Sequence, residues 1–211
     1  MPQASPRALV FLYSCAARCY TLDMSVFSKA RPNKGKSLFA FPADFTVVDI
    51  ETTGLSAVGA EIIEISALRY RNDRFESAFS SLLKPAYPIP PFITMLTGIT
   101  NAMVKDARER KGVLRDFWEF VGEDVIVGHN VHFDVNFLYD ELHRHLGCDL
   151  KNDFVDVLRL SRTYLPQLAD HKQTTVASFF GLDVTGAHRA LKDTEICAEN
   201  YLRIKAIALK N

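Results

Sequence analysis

The sequence predicts an α/β domain in which a mixed β-sheet is covered by helices. Two observations predict this class. Three strand-like segments follow one another between residues 45 and 84, and the second half alternates a short buried strand with helical patterns. A strand meander followed by alternating strands and helices is typical of a mixed sheet flanked by helices.

The first half supplies three strands in order. Residues 45–50 (FTVVDI) form an apolar, β-branched run that indicates a buried strand, and a turn follows at 52–55. Residues 61–71 and 74–84 predict the second and third strands, because the Asn-Asp pair at 72–73 favours a tight turn between them. The prolines that follow predict an irregular connector: Pro85, Pro88, Pro90 and Pro91.

The second half predicts helices around one short strand. Residues 112–122 carry apolar side chains at helical spacing, and the single tryptophan, Trp118, is expected in the core. Residues 124–128 (DVIVG) predict a short buried strand. The remaining helices are expected at 133–146, 156–165, 173–180 and 189–208.

The composition restricts the class of protein. The chain has 211 residues, of which 48% are hydrophobic and 24% are charged, as expected for a globular domain and not for a disordered or fibrous chain. No apolar run reaches the roughly 18 residues that a membrane-spanning helix requires. Lys plus Arg equals Asp plus Glu, 25 each, which argues against a globally basic nucleic-acid binder.

The first 37 residues differ from the rest in charge. They hold six basic residues and one acid, which leaves 19 basic and 24 acidic residues in the remainder. We expect residues 1–37 to be an extension or basic linker and residues 38–211 to be the folded domain. The apolar run at 8–17 resembles a weak signal-peptide core, and a start at Met24 is the alternative. The four cysteines lack paired spacing, which favours free thiols and a cytoplasmic location.

Two acids end the first predicted strand. Asp49 and Glu51 are two residues apart, so their side chains point to the same face. Two carboxylates about 4 Å apart repel by roughly 4 kcal/mol at an effective dielectric constant near 20. Such crowding requires a proton or a cation. The alternative is a pair of solvated acids, because D-x-E alone is a common pattern.

The other acids of interest lie near helix starts. Asp134 falls in the first turn of a predicted helix, where backbone dipoles favour negative charge. His188 lies just before the last predicted helix, and Asp193 lies in its second turn. Each could be an ordinary capping or surface residue, but together these acids and a histidine suit two-metal phosphodiester hydrolysis. Carboxylates are suitable ligands for Mg²⁺ or Mn²⁺, and histidine can accept a proton near neutral pH.

Three segments resemble the motifs of the DEDDh (DnaQ-like) 3′–5′ exonucleases, the superfamily of the proofreading epsilon subunit of bacterial DNA polymerase III. They are VDIETTGL (48–55), GHNVHFDVNFL (128–138) and HRALKDT (188–194), and the likeness covers about residues 44–205. The spacing of histidine and aspartate in the third motif matches the histidine-containing subgroup. The resemblance implies a ribonuclease-H-like fold with a five-stranded mixed sheet flanked by helices.

The resemblance also implies a role for each site residue. Asp49, Glu51 and Asp193 would ligate one of two divalent metal ions, Mg²⁺ or Mn²⁺. Asp49 would bridge to the second ion, and Asp134 would support that side. His188 would act as the general base.

A substrate-binding loop is implied as well. The backbone at Thr52, Thr53 and Gly54 would meet the terminal nucleotide, and Leu55 would wedge at its base. Phe133 would pack near the next sugar or base.

The leading functional hypothesis is a metal-dependent 3′–5′ exonuclease that hydrolyses nucleic acid, with single-stranded DNA favoured, to nucleoside 5′-monophosphates. A replicative DNA polymerase is a candidate partner, and no membrane association is expected. An RNA-trimming exoribonuclease is the alternative, because recognition of the 2′-hydroxyl depends on loops that the sequence does not place. A non-catalytic nucleic-acid or polymerase-binding module ranks lower, because it predicts the loss of an acid or of the histidine.

Overall fold

The computed structural model describes residues 30–56 and 59–210, and one compact unit spans Asn33–Asn211. Its six strands are β1 (Ser37–Leu38), β2 (Phe45–Thr52), β3 (Ile62–Arg71), β4 (Arg74–Leu82), β5 (Ile126–Gly128) and β6 (Phe154–Asp156). They lie in the order β1-β6-β5-β2-β3-β4. β2, β3 and β4 form an antiparallel meander, whereas β2–β5, β5–β6 and β1–β6 pair in parallel. The mixed sheet is confirmed, with six strands instead of five, because the short β1 pairs with β6.

Seven helices lie in the described part of the chain. They are α1 (Pro91–Thr97), α2 (Asn101–Val104), α3 (Arg110–Val121), α4 (His132–Leu146), α5 (Val157–Tyr164), α6 (Gln173–Phe179) and α7 (Ala190–Ala208). The five helices expected from periodicity are present within a few residues of their predicted bounds. Helices α1 and α2 replace part of the expected irregular connector. Pro91 is the first residue of α1, where a missing N–H costs no helical hydrogen bond.

Strand β2 separates two hydrophobic layers. Val48 packs with residues of α3 and α4, whereas Val47 packs with residues of α5, α6 and α7. Side chains alternate between the two faces of a strand. Asp49 and Glu51 therefore continue the face of Val47, on which α7 lies.

Helix α3 corrects one expectation about the core. Its buried face carries Val113, Leu114, Phe117 and Val121, whereas Trp118 is 41% exposed. Trp118 is therefore not a core residue. It follows Phe117 directly, and one residue of an α-helix turns the side chain by roughly 100°, away from the sheet.

The packed unit includes residues 33–37, which were predicted to belong to the linker. The Lys36 N–H donates a hydrogen bond to Asp153 Oδ1 at 2.7 Å, and Ser37 pairs with Phe154 in the sheet. A side chain at position 35 would place its Cβ 1.9 Å from the Asn152 carbonyl oxygen, so this close approach requires Gly35. The packed unit thus begins a few residues before position 38.

Some sequence-based expectations fall outside the described residues. These are the apolar run at 8–17, the alternative start at Met24, and Cys15 and Cys19. Within the described part, Cys148 and Cys197 are free thiols. No helix found there has the length and apolar character that crossing a membrane requires.

Candidate active site

The site is built around the carboxyl end of β2. Asp49 and Glu51 share one face of this strand, and Glu51 lies opposite Glu64 of β3 in the sheet register. The register shifts between Glu51 and Thr52, where the strand gives way to the turn. The apolar strand therefore presents two acids at the point where regular pairing ends.

Helix α7 brings the third carboxylate to the same place. One carboxylate oxygen from each of Asp49, Glu51 and Asp193 lies within 4.8 Å of the other two. Asp193 is buried in the first turn of α7 and is held from two sides. Its Oδ1 accepts a hydrogen bond from Gln173 Nε2 at 3.0 Å, and its Oδ2 accepts one from the His188 N–H at 2.9 Å.

Asp134 joins this group from the other side of β2. It lies in the first turn of α4 and is 5% exposed. Its Oδ1 accepts a hydrogen bond from the Ile50 N–H at 3.1 Å, which attaches α4 to the backbone between Asp49 and Glu51. The structure thus brings together all four predicted acids, although only three meet within 4.8 Å.

The crowding of acids changes their protonation. Burial, followed by the charges of Asp193, Glu64 and Asp134, raises the pKa of Glu51 from 4.5 to about 8. Burial also raises the pKa of Asp134 from 3.8 to about 8, with Asp156 and Asp193 adding to the shift. The pKa of Asp49 is raised well above its ordinary value, again first by burial. In the absence of cations, the cluster therefore holds protons at neutral pH.

His188 lies at the entrance to α7. It is exposed and has a left-handed backbone with φ of 70°. This backbone geometry directs its N–H to Asp193, as described above. Burial raises the pKa of Asp193, and the His188 N–H and imidazole both act in the opposite direction. The imidazole is thus close to the cluster while remaining open to solvent.

The predicted substrate-binding residues surround the same end of β2. The Thr52 hydroxyl donates to the Gly54 carbonyl oxygen at 2.7 Å, which closes the turn. Thr53 exchanges two hydrogen bonds with the backbone of Glu61, both at 2.9 Å. Leu55 is 86% exposed at the tip of this turn, and so it is free to contact a ligand.

Phe133 is partly buried beside the second motif. Its ring lies 4.7 Å from that of Phe137 and packs against the hydrophobic cluster that α4 shares with the sheet. The structure thus gives Phe133 a packing role. Contact with a nucleotide stays a prediction for Phe133, as it does for the residues of the turn at 52–55.

The residue that fixes the start of α7 was not predicted from the sequence. Glu64 is 3% exposed, and its Oε1 accepts a hydrogen bond from Arg189 Nη2 at 2.7 Å. Its Oε2 accepts from Arg189 Nε and from the Ala190 N–H, both at 3.1 Å. Arg189 therefore binds an internal carboxylate. A single acid at a buried position of an apolar strand was the signal available in the sequence.

Two further supporting residues were also missed. Asp156 ends β6, and its Oδ1 accepts hydrogen bonds from the Asn130 N–H at 2.9 Å and the Leu158 N–H at 3.0 Å. It therefore fixes the loop that leads to Asp134. Gln173, which holds Asp193, gave no signal because an isolated glutamine has no characteristic spacing.

The fold and the site define an α/β protein with a buried acidic cluster suited to divalent cations at the carboxyl end of its central strand. Residues 46–201 match the RNase T exonuclease family. This match covers well over half of the chain, and the chain belongs to that family.

Curated relatives include polymerase subunits. The chain is 37% identical over 160 residues to the DNA polymerase III subunit epsilon of Aquifex aeolicus, covering 76% of this chain and 79% of the relative. It is 40% identical over 170 residues to the PolC-type DNA polymerase III of Caldanaerobacter subterraneus subsp. tengcongensis. That match covers 81% of this chain but only 12% of the polymerase, so the chain corresponds to about an eighth of its length.

Solved structures of exonucleases share the fold. A structure of exonuclease X in complex with 5′-overhanging duplex DNA aligns with a TM-score of 0.62 and 25% identity, covering 77% of this chain and 91% of that one. The structure of E. coli exonuclease I with a dA16 oligonucleotide aligns with a TM-score of 0.70 over 80% of this chain and 42% of that one. Identity to the latter is 18%, so this likeness concerns the fold alone.

Proposed function

We propose that the protein is a metal-dependent 3′–5′ exonuclease that hydrolyses DNA to nucleoside 5′-monophosphates. One observation carries the proposal, namely the approach of Asp49, Glu51 and Asp193 within 4.8 Å at the end of β2. Four acids from three distant motifs converge there, which a structural role alone does not require. Membership of the exonuclease family supports the reaction class.

The residues present fit a pair of divalent cations. All of the donors are carboxylate oxygens, the ligand type that Mg²⁺ and Mn²⁺ prefer. Burial and the charges of neighbouring acids raise the pKa values of Glu51 and Asp134, so bound cations would relieve a crowding of buried carboxylates. Asp49, Glu51 and Asp193 would hold one ion, and Asp49 with Asp134 the other. When bound, such ions neutralise the scissile phosphate and lower the barrier to attack by water.

The chain's own residues supply proton transfer and positioning. His188 is the proposed general base, since its imidazole is exposed beside Asp193 and can accept a proton from the attacking water. The turn at 52–55 would hold the terminal nucleotide through its backbone, with Leu55 against the base. Asp193 and Asp134 are fixed by hydrogen bonds before any ligand arrives, so little reorganisation is needed.

The names of the relatives support DNA as the substrate and a polymerase as the partner. Both curated relatives belong to DNA polymerase III, and the exonuclease X structure holds DNA. We therefore propose that the chain removes nucleotides from single-stranded 3′ ends of DNA in association with a replicative polymerase. Such a role agrees with the cytoplasmic location that the sequence predicts.

The test uses single strands of DNA and RNA labelled at either end. We expect Mg²⁺ or Mn²⁺ to support release of mononucleotides from the 3′ end of DNA, and a chelator to stop it. Faster hydrolysis of RNA would instead identify an exoribonuclease. Release from the 5′ end, or metal-independent hydrolysis, would contradict the mechanism.

The variant Asp49→Asn provides the matched control, because it keeps the side-chain volume and removes one charge. We expect it to lose turnover and to remain folded. Full activity in this variant would show that the carboxylate cluster is not the active site.

A further inference from the structure

A long segment of the chain beside the proposed active site contains no acidic residue. Residues 77–105 include no Asp or Glu, and no other stretch of this chain without an acid is as long. The two charged residues of this segment are Lys84 and Lys105, both exposed. The domain from residue 38 onward has more acidic than basic residues, so this segment differs from its surroundings in charge.

The two lysines border a shallow hollow of about 240 Å³ between the connector that precedes α1 and helix α2. Tyr87 and Pro88 also line it, and the Tyr87 side chain is 78% exposed. Neither Lys84 nor Lys105 has an ion-pair or hydrogen-bond partner for its ammonium group within the described residues. The hollow thus combines two unpaired positive charges with an exposed aromatic ring.

The hollow is connected to the turn at the end of β2. The Ala86 N–H donates a hydrogen bond to Glu61 Oε2 at 2.9 Å, and Ala86 lines the hollow. The backbone of Glu61 is in turn bonded to Thr53. Glu61 therefore joins the segment that lines the hollow to the turn at 52–55, which makes the hollow a neighbour of the predicted nucleotide-binding turn.

We propose that this hollow binds the single-stranded part of the DNA substrate, a few nucleotides upstream of the scissile bond. Lys84 and Lys105 would contact phosphates, and a base would stack on Tyr87. Positive charge along the backbone path together with an aromatic platform is the combination by which proteins hold single strands without reading their sequence. The inference rests on the proposed exonuclease function and adds an upstream substrate contact to it.

The test compares a dinucleotide with a 12-nucleotide strand of DNA as substrates. In the wild type, KM should be lower for the longer strand, which reaches the hollow. The double variant Lys84→Ala/Lys105→Ala should raise KM for the 12-mer roughly tenfold. Its kcat, and its KM for the dinucleotide, should equal those of the wild type. For the 12-mer, the slope of log KM against log salt concentration should be about 1.4 lower in the double variant than in the wild type. Two phosphate contacts are lost, and each contact to a single strand contributes about 0.7.

Two further variants separate stacking from charge. Tyr87→Ala should raise KM for the 12-mer by about tenfold, whereas Tyr87→Phe should retain the wild-type value because the ring remains. The control Lys151→Ala/Lys210→Ala removes the same number of exposed charges elsewhere and should leave KM unchanged.

Each outcome distinguishes the two proposals. Wild-type protein that hydrolyses neither substrate would refute the exonuclease function and the upstream site with it. Wild-type hydrolysis with equal KM for both lengths, or variants that keep the length dependence, would overturn the upstream site alone. An equal effect of the control pair would also overturn it, since general charge would then explain the binding. A surface that binds a protein partner instead predicts no length dependence.

Discussion

Asp193 shows how a single ligand is positioned by its neighbours. Gln173 Nε2 donates to both Asp193 Oδ1 and the Asp193 carbonyl oxygen, at 3.0 and 3.2 Å. The Gln173 carbonyl oxygen accepts a hydrogen bond from Asn200 Nδ2 at 3.0 Å. Since Gln173 is itself held by α7, it fixes the orientation of the carboxylate with respect to the same helix.

Replacement of Gln173 by leucine should weaken metal binding. The substitution removes the donor while keeping a side chain of similar size, and supporting residues of this kind typically change metal affinity by about 10- to 100-fold. We expect the concentration of Mn²⁺ for half-maximal activity to rise by that factor, with kcat at saturating Mn²⁺ much less affected. Gln167→Leu, on an exposed loop, is the control. An unchanged midpoint for Gln173→Leu would show that the hydrogen bond has no influence on the metals.

Replacement of His188 tests the proton-transfer step. Asparagine tolerates the left-handed backbone found at this position, so His188→Asn should preserve the N–H bond to Asp193. We expect kcat to fall by roughly 10²- to 10⁴-fold, with DNA affinity and melting temperature close to wild type. Single-turnover kinetics and a binding titration measure the two effects separately. Wild-type kcat at neutral pH would exclude His188 as the general base.

At the scale of elements, the close approach of β5 to β2 determines the position of the second motif (residues 128–138). A Cβ at Gly128 would lie 2.6 Å from Val131 Cγ2 and 3.1 Å from the Val48 carbonyl oxygen. The loop after β5 can therefore fold back against β2 only if residue 128 has no side chain. This loop leads directly into α4 and so determines where Asp134 lies.

Two glycine-to-alanine substitutions should have opposite effects. Gly128→Ala forces the loop away from β2 and should cost about 1–3 kcal/mol of stability and lower the exonuclease rate. Gly112→Ala lies in α3, where a Cβ meets only Arg108 Nη2 at 3.8 Å, and should stabilise the protein by up to about 1 kcal/mol. Urea unfolding midpoints measure both changes. A Gly128→Ala protein as stable as the wild type would show that the loop can relax without cost.

The elements also show what could be predicted from the sequence. The long strands and helices were predicted because their hydrophobic residues recur at regular spacing, either over several helical turns or at every second position of a strand. Strands β1 and β6 have two and three residues, too few for a periodic signal. Strand β5 is equally short, but it was predicted from a continuous apolar run that ends at Gly128. Likewise, the four predicted acids could be found because they occur in motifs with fixed spacing. Glu64 and Gln173 act through contacts between segments that are distant in sequence. Gln173 leaves no local pattern, and Glu64 leaves only a single acid within an apolar strand, which does not identify its partner.

At the scale of the whole molecule, the acidic cluster links folding to pH and to metal. Because the folded protein raises the pKa of Glu51 from 4.5 to about 8, it binds more protons than the unfolded chain between these values. The free energy of unfolding therefore falls as pH rises through this window. We expect the melting temperature of the metal-free protein to be lower at pH 8.5 than at pH 6, measured with chelator present.

Divalent cations should remove most of this pH dependence, because ions that bind only the folded state stabilise it and supply the charge that protons otherwise provide. At pH 8.5, Mn²⁺ should thus raise the melting temperature more than it does at pH 6. Asp49→Asn relieves repulsion within the cluster, so this variant should melt higher than the wild type at pH 8.5 without metal and should respond less to Mn²⁺. A wild-type melting temperature that rises between pH 6 and 8.5 in chelator would contradict the sign derived from Glu51. It would mean that the carboxylates are paired with positive charge and not crowded against one another.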